Sequence, residues 1–331
     1  MLASELLLFA RQPDEKSFVA RNGDNITLVL KRNGLEGSSY FNQFIELNRS
    51  NLGRNNTLLV GVRYKLPPVK GGQATVVAAS GLVGSVVVEP ILGKENEKVT
   101  VIDDKLKGAI FYLDSGHGGP DPGAIGNIGG NRLCEDEYAY DVTLRLGREL
   151  IKHGARVNFI IHDPNDGIRN EKYLKSDKDE VCFPNLSIPL NQVARLKQRV
   201  DAANKLYKSD PAGSYRRCIV IHVDARHNNK NIDIFFYHHQ GSKYGAQLAN
   251  SMRNTIEKKY SIHQPGRGYA GDVSYRELYQ LKQTQPVTVF IELGNINHSR
   301  DQQRLIVDSN RQALANWMCE GIIDDYQQVK K

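Results

Sequence analysis

The sequence predicts an α/β protein: a mostly parallel sheet flanked by helices on both faces, preceded by a small βααβ unit and a β-rich linker. Three observations predict it. From residue 108 onward, five apolar strand-like runs (AIFYLD, ARVNFII, CIVIHV, IDIFFY, TVFIEL) alternate with helix-length stretches at 136–153, 190–207, 244–259 and 309–323. Such alternation covers a parallel sheet with helices on both sides. The texture of the chain changes at about 68 and again at about 107, and a length of 331 residues accommodates about two domains.

In chain order, residues 17–67 read as strand, helix, helix, strand. SFVA is the first strand, Asp24 or Asn25 caps a helix beginning at Ile26, SYFNQFIELNR has helical apolar spacing at Tyr40, Phe44 and Leu47, and LLVGVRYKLP closes the unit. Residues 68–107 are rich in Gly, Val, Thr and Ala, with VVAAS, GSVVVEP and KVTVIDD as short strand-like runs. They read as a linker or small β element without chemistry. Residues 108–326 form the α/β region.

Composition limits the function. Hydrophobic residues at 40% and charged residues at 24% are ordinary for a globular protein and indicate neither disorder nor an integral membrane protein. The net charge of +7 favours anionic partners such as a cell-wall polymer, but no long basic block marks a nucleic-acid surface. The apolar run at 6–10 is too short to span a bilayer or to act as a signal core, so no transmembrane segment is expected. Cys134, Cys182, Cys218 and Cys319 lack metal-knot spacing and are expected to be free or buried thiols, a Cys182–Cys218 bridge being the alternative.

In open α/β sheets, sites form beyond the carboxyl ends of the strands. His117 lies just past AIFYLD, His222 at the end of CIVIH and Glu292 at the end of TVFIE, while Glu135 opens the helix that follows a Gly-rich loop. Two imidazoles and a carboxylate, His117, Glu135 and His222, match the three protein ligands of a catalytic zinc (Zn2+) that keeps a fourth position for water. Glu292 is then the general base, since a carboxylate in an apolar strand needs a cation or a function. Gly116, Gly118 and Gly119 leave room for a tight turn and a bulky substrate, and Asp114 and Asp224 are candidate acceptors for the ligand imidazoles. Each has a duller alternative: a loop histidine at 117, a core imidazole at 222, a solvated helix start at EDE, where Glu137 competes with Glu135 from a different helix face. His238 and His239 are adjacent, so they point to opposite sides of a strand.

With GHGGPDPGAIG from Gly116, Glu135 ahead of the KHG turn, RVDAAN from Arg199, IHVDA from Ile221 and IELG from Ile291, the chain resembles the zinc-dependent N-acetylmuramoyl-L-alanine amidases of the type 3 family. The resemblance implies zinc held by His117, Glu135 and His222 with Glu292 catalytic. It implies hydrolysis of the amide between N-acetylmuramic acid and the L-alanine of the stem peptide, with peptidoglycan or muropeptides as substrate, an activator protein as a further candidate partner, and a periplasmic or cell-envelope location. The GD after the first strand, the LN ending the second helix and the closing LP make residues 17–67 resemble the LysM glycan-binding modules. Two departures bear on substrate contacts: Asn295 stands where the family has an aromatic residue, and His298 where it has Asn. The polar segment 163–190 exceeds what a connection needs and is expected to wall or lid the crevice. A zinc peptidase acting within the stem peptide, or a wall-binding regulator without turnover, are the competing functions.

Overall fold

The structure, a computed structural model, describes residues 17–21, 23–33, 35, 38–53, 56–67, 83–212, 214–225 and 231–330. The segment 6–10, the VVAAS run and His227 lie outside the described residues. The chain divides into two compact units, Met1–Gln73 and Ala74–Lys331.

In the smaller unit, strand β1 (Ser17–Val19) leads through helices α1 (Ile26–Arg32) and α2 (Ser38–Asn48) to β2 (Arg63–Lys65), which pairs antiparallel with β1. Asn25 caps α1, its Oδ1 accepting from Leu28 N at 2.8 Å, while Asp24 closes the preceding turn by accepting from Arg21 N. Phe44 and Tyr64 are fully buried, and with Phe18 they form a ring cluster spaced 5.7–6.2 Å. The apolar spacing along α2 misleads at Leu47, which is 45% exposed. Asn48 takes the inward position instead. Its amide bonds Phe44 O, Lys65 O and Lys65 N at 2.8–2.9 Å, satisfying the backbone of β2 where an apolar side chain could not.

The larger unit opens with an antiparallel pair, β3 (Val86–Val88) and β4 (Lys98–Thr100). Leu92, Val99 and Leu106 belong to the core of this unit, so residues 83–107 are packed chain. Next come β5 (Ala109–Ser115), a hairpin of β6 (Ile125–Ile128) and β7 (Asn131–Cys134), helix α3 (Glu135–Lys152) and β8 (Arg156–Phe159). Segment 163–190 lies around a small antiparallel sheet of β9 (Ile161–His162), β10 (Val181–Cys182) and β11 (Leu186–Ser187). There follow α4 (Gln192–Ser209), β12 (Tyr215–Asp224), β13 (Phe235–His238), α5 (Lys243–His263), β14 (Val273–Tyr275), α6 (Tyr279–Gln283), β15 (Val287–Asn295), α7 (Ser299–Ile306) and α8 (Asp308–Lys330).

The main sheet has the order β14-β13-β15-β12-β5-β8. Four of its pairings are parallel and one, β13 with β15, is antiparallel. The IDIFFY run is therefore the strand that breaks the parallel pattern: it follows β12 too closely for the helical crossover a parallel partner requires. Helices α3 and α5 lie against the sheet with α8 packed on both, and α4 and α6 form another pair, α6 touching β15. Arg311 of α8 and Arg145 of α3, both buried, share the Asp141 carboxylate at 2.6 and 2.7 Å. Arg311 also donates to Arg169 O and Glu171 O, which anchors the start of the long insertion to the core. All four cysteines are buried and free.

Glu89, after β3, is 6% exposed, and burial pushes its carboxyl from 4.5 up to about 7. The folded form thus holds a proton more tightly than the unfolded chain. The associated stability is fully present below pH 4.5 and is lost as pH rises to about 7, amounting to roughly 3–4 kcal/mol at about 1.4 kcal/mol per pKa unit. Glu89→Gln is expected to remove that part of the pH slope in urea unfolding. An unchanged slope between pH 4.5 and 7 would show that Glu89 is solvated.

Candidate metal centre

The carboxyl ends of β5, β12 and β15 converge on one crevice. Gly116 follows β5 and donates to Ile221 O at 2.7 Å, carrying the β5–β12 ladder one residue further. The chain then turns through His117, whose φ of +62° is costly for a residue with a side chain. Mutual backbone bonds between Gly118 and Asp121, at 2.9 and 3.3 Å, close this turn. The Asp121 Oδ2 lies 2.8 Å from His117 Nδ1 and is held in turn by Arg195 Nη2 at 2.5 Å.

Glu135 is the hub. As the first residue of α3 it sits where the helix dipole favours an anion. Its Oε1 lies 2.8 Å from His222 Nδ1 and accepts from Val223 N at 3.0 Å. Its Oε2 lies 3.2 Å from His117 Nε2 and accepts from Ala124 N at 2.8 Å. Burial would raise this carboxyl, but the bonds from the two imidazoles outweigh it and hold it well below the usual range. The reciprocal holds at His117: burial pulls it down, yet Asp121 and Glu135 together lift it to about 9. For His222 burial wins and the ring favours its neutral form. One donor atom from each of His117, Glu135 and His222 lies within 4.8 Å of the others.

His222 and Glu292 occupy the same register position on the parallel pair β12–β15, so both project from the same face of the sheet. The His222 ring stacks on Phe290 with centroids 4.4 Å apart. Burial raises the Glu292 carboxyl well above the ordinary glutamate value, reinforced by the negative charges of Glu135 and Asp224.

Two buried polar atoms, His222 Nε2 and Glu292 Oε2, meet no hydrogen-bond partner among the described residues. Two glycines keep the space around the donors clear. A Cβ on Gly116 would fall 2.3–2.6 Å from the His222 ring, and one on Gly123 would fall 2.7 Å from both Glu135 Oε2 and the His117 ring. Two nitrogens and a carboxylate oxygen, with an orphaned imidazole nitrogen, fit a zinc-type ion.

The remaining sequence candidates are placed as follows. Asp114 is not bonded to an imidazole; its Oδ1 accepts from the buried Arg199 at 2.5 Å. The guanidinium also donates to Ser115 O and His117 O, so Arg199 fixes the strand end that carries His117. The reason is direction: successive strand side chains alternate faces, and the imidazole finds its acceptor in the loop, at Asp121. Asp224 ends β12 opposite Asn295. Glu137 is bound by Arg169 at 2.7 Å, away from Glu135. His238 and His239 do not join the centre. Asp121 and Arg195 were absent from the sequence reading, although the DPGA motif held the signal for the first.

The family profile for N-acetylmuramoyl-L-alanine amidase matches residues 111–324. This chain belongs to that amidase family. The amidase-type chain is 28% identical over 219 residues to a "Probable cell wall amidase LytH" of Staphylococcus aureus, covering 66% of this chain and 58% of that one. It therefore spans little more than half the length of such curated relatives. Among solved structures it is similar to the amidase AmiC2 of Nostoc punctiforme, at 19% identity and TM-score 0.47, covering 68% of this chain and 98% of that one. It is also similar to the CwlD amidase of Clostridioides difficile, solved in complex with the GerS lipoprotein, at 18% identity and TM-score 0.49, covering 66% and 98%.

Proposed function

We propose that this chain is a zinc-dependent N-acetylmuramoyl-L-alanine amidase, hydrolysing the amide between the lactyl group of N-acetylmuramic acid and the L-alanine of the stem peptide. The observation that carries the reading is the convergence of His117, Glu135 and His222, with Glu292 on the strand beside His222, in a chain of the amidase family. Zinc, when held by these three residues, polarises the scissile carbonyl and acidifies water. Asp121 and Arg195 keep His117 in one orientation through Nδ1. Glu292 receives a proton from the attacking water and returns it to the leaving nitrogen. A carboxyl whose proton affinity is already raised by burial suits both halves of that transfer.

The substrate lies outside the cytoplasm, so a periplasmic or cell-envelope location follows from the same reading. Residues 108–326 are the catalytic domain and 17–67 a LysM-like glycan-binding module. In support of the latter, Asp24, Asn25, Ile26, Thr27, Phe41 and Leu58 border a shared groove in the smaller unit. The insertion 163–190 forms one wall of the crevice: Ile188 packs on Gly118 and Gly119 beside His117, and Arg195 bridges Asp121 to Leu190 O. Leu190 itself is 77% exposed. Leu190→Ser is expected to raise KM for a muropeptide about fivefold at unchanged stability, as loss of about 1 kcal/mol of apolar contact would. An unaltered KM would remove Leu190 from the wall.

The decisive experiment is mass spectrometry of defined N-acetylmuramoyl peptides after incubation with zinc-loaded protein, with a chelator control. Release of intact stem peptide from intact sugar, abolished by the chelator, is the expected result. Shortened peptides still attached to sugar would make the chain a peptidase, and binding without any product would make it a wall-binding regulator.

A further inference from the structure

Behind the histidine loop, the insertion gathers a second group of carboxylates. Donor atoms of Asp163, Asp177 and Glu180 lie within 4.8 Å of one another, the separation available to two oxygens on one calcium ion at about 2.3–2.6 Å each. Asp163 is 7% exposed and Glu180 6%, while Asp177 opens the group to solvent. The Asp163 Oδ1 is taken by the amides of Asn165 and Asp166, at 2.9 and 2.7 Å. Its Oδ2 is buried and meets no hydrogen-bond partner. A carboxylate sealed in this way is costly unless a cation shares the space.

The neighbouring cation does not serve. Arg169 pairs with Glu137 and Asp166, and among the described residues no cation pairs with Asp163, Asp177 or Glu180. Burial, with the negative charges of Glu137 and Asp163 adding to it, pushes Glu180 up to about 7, and burial together with Asp166 and Asp177 raises Asp163 as well. All-oxygen donors with one face open to water suit a hard divalent ion that accepts irregular coordination, which is calcium rather than zinc.

We propose that Asp163, Asp177 and Glu180 form a calcium site, separate from the histidine centre, that locks the insertion onto the catalytic loop. The mechanical link is Glu180, whose Oε2 accepts from Gly119 N at 2.7 Å, two residues beyond His117. Bound calcium draws the three carboxylates together and fixes Glu180 as the acceptor for that amide. The ion organises the insertion and takes no part in bond cleavage, so the site stands whether or not the amidase reaction does.

The test is calorimetric titration of the zinc-loaded full chain with calcium chloride, followed by thermal melts. Expected are one calcium bound with a Kd on the order of 10⁻⁴ M and a Tm raised by about 5 °C at a hundredfold excess over Kd. Asp177→Asn, at an exposed position, is expected to weaken calcium binding at least about tenfold, and Asp163→Asn to do the same if folded. His117→Ala is expected to leave calcium affinity unchanged. Absence of calcium binding at about 1 mM, an unaltered Kd in Asp177→Asn, or loss of calcium binding in His117→Ala would each overturn the proposal.

Discussion

Glu292→Gln is expected to slow amide hydrolysis by about 10²–10⁴-fold, the range for removing a positioned general acid–base group, while zinc content stays at the wild-type level. The amide side chain keeps the shape of the carboxylate but cannot take a proton from water. Its position also isolates the effect. Glu292 belongs to β15, paired along its length with β12, and the backbone bonds of that pairing do not depend on the side chain. The loss should therefore fall on kcat rather than on folding or on KM. Turnover of a defined muropeptide, measured beside zinc content by mass spectrometry, checks it. A variant with wild-type kcat would transfer the proton-shuttling role to another group, and one that had lost its zinc would make Glu292 a ligand.

The second large effect is expected at a residue without a side chain. In Gly116→Ala, the new methyl group would sit 2.3–2.6 Å from three atoms of the His222 ring, closer than any real contact. Gly116 cannot easily withdraw, because its amide is bonded to Ile221 O at 2.7 Å. Nor can His222 yield without leaving both Glu135 and the stacked Phe290. Either adjustment costs about 1–3 kcal/mol as over-packing and misplaces a nitrogen of the proposed zinc site. Zinc affinity is expected to fall by about 100-fold or more, given that disturbing even an outer partner of a ligand costs about 10–100-fold. Competition with a chromogenic chelator measures this. Wild-type zinc affinity in a folded Gly116→Ala protein would mean that the ring and its metal sit elsewhere.

Much of this arrangement was legible because strand periodicity and strand-end position are local properties. The AIFYLD, CIVIHV and TVFIEL runs are buried on both faces, so each reads as a continuous apolar segment whose end is visible in the letters. What was not legible depends on non-local geometry. The short edge strand β14 is half-exposed and carries no run long enough to announce itself. The direction of β13 depends on which neighbour it joins. Strand-end position offers Asp114 and Asp224 as acceptors for the imidazoles but not Asp121, because the tight turn that returns Asp121 to His117 depends on backbone angles, including a positive φ at His117. Asn48 was passed over for Leu47 because hydrophobic spacing takes no account of a side chain recruited to finish a neighbouring strand's hydrogen bonds.

The shared register of His222 and Glu292 divides the crevice into a fixed half and an adjustable half. Adjacent strands keep a spacing of about 4.8 Å, so the separation between this histidine and the carboxylate that works beside it is set by the sheet. Changing it would mean breaking the β12–β15 ladder. His117 has no such constraint. It rides on a turn whose shape depends on Arg199, Arg195 and Glu180, all contributed from outside that turn. A ligand or partner that displaced the insertion would therefore move His117 and leave the spacing of His222 and Glu292 unchanged.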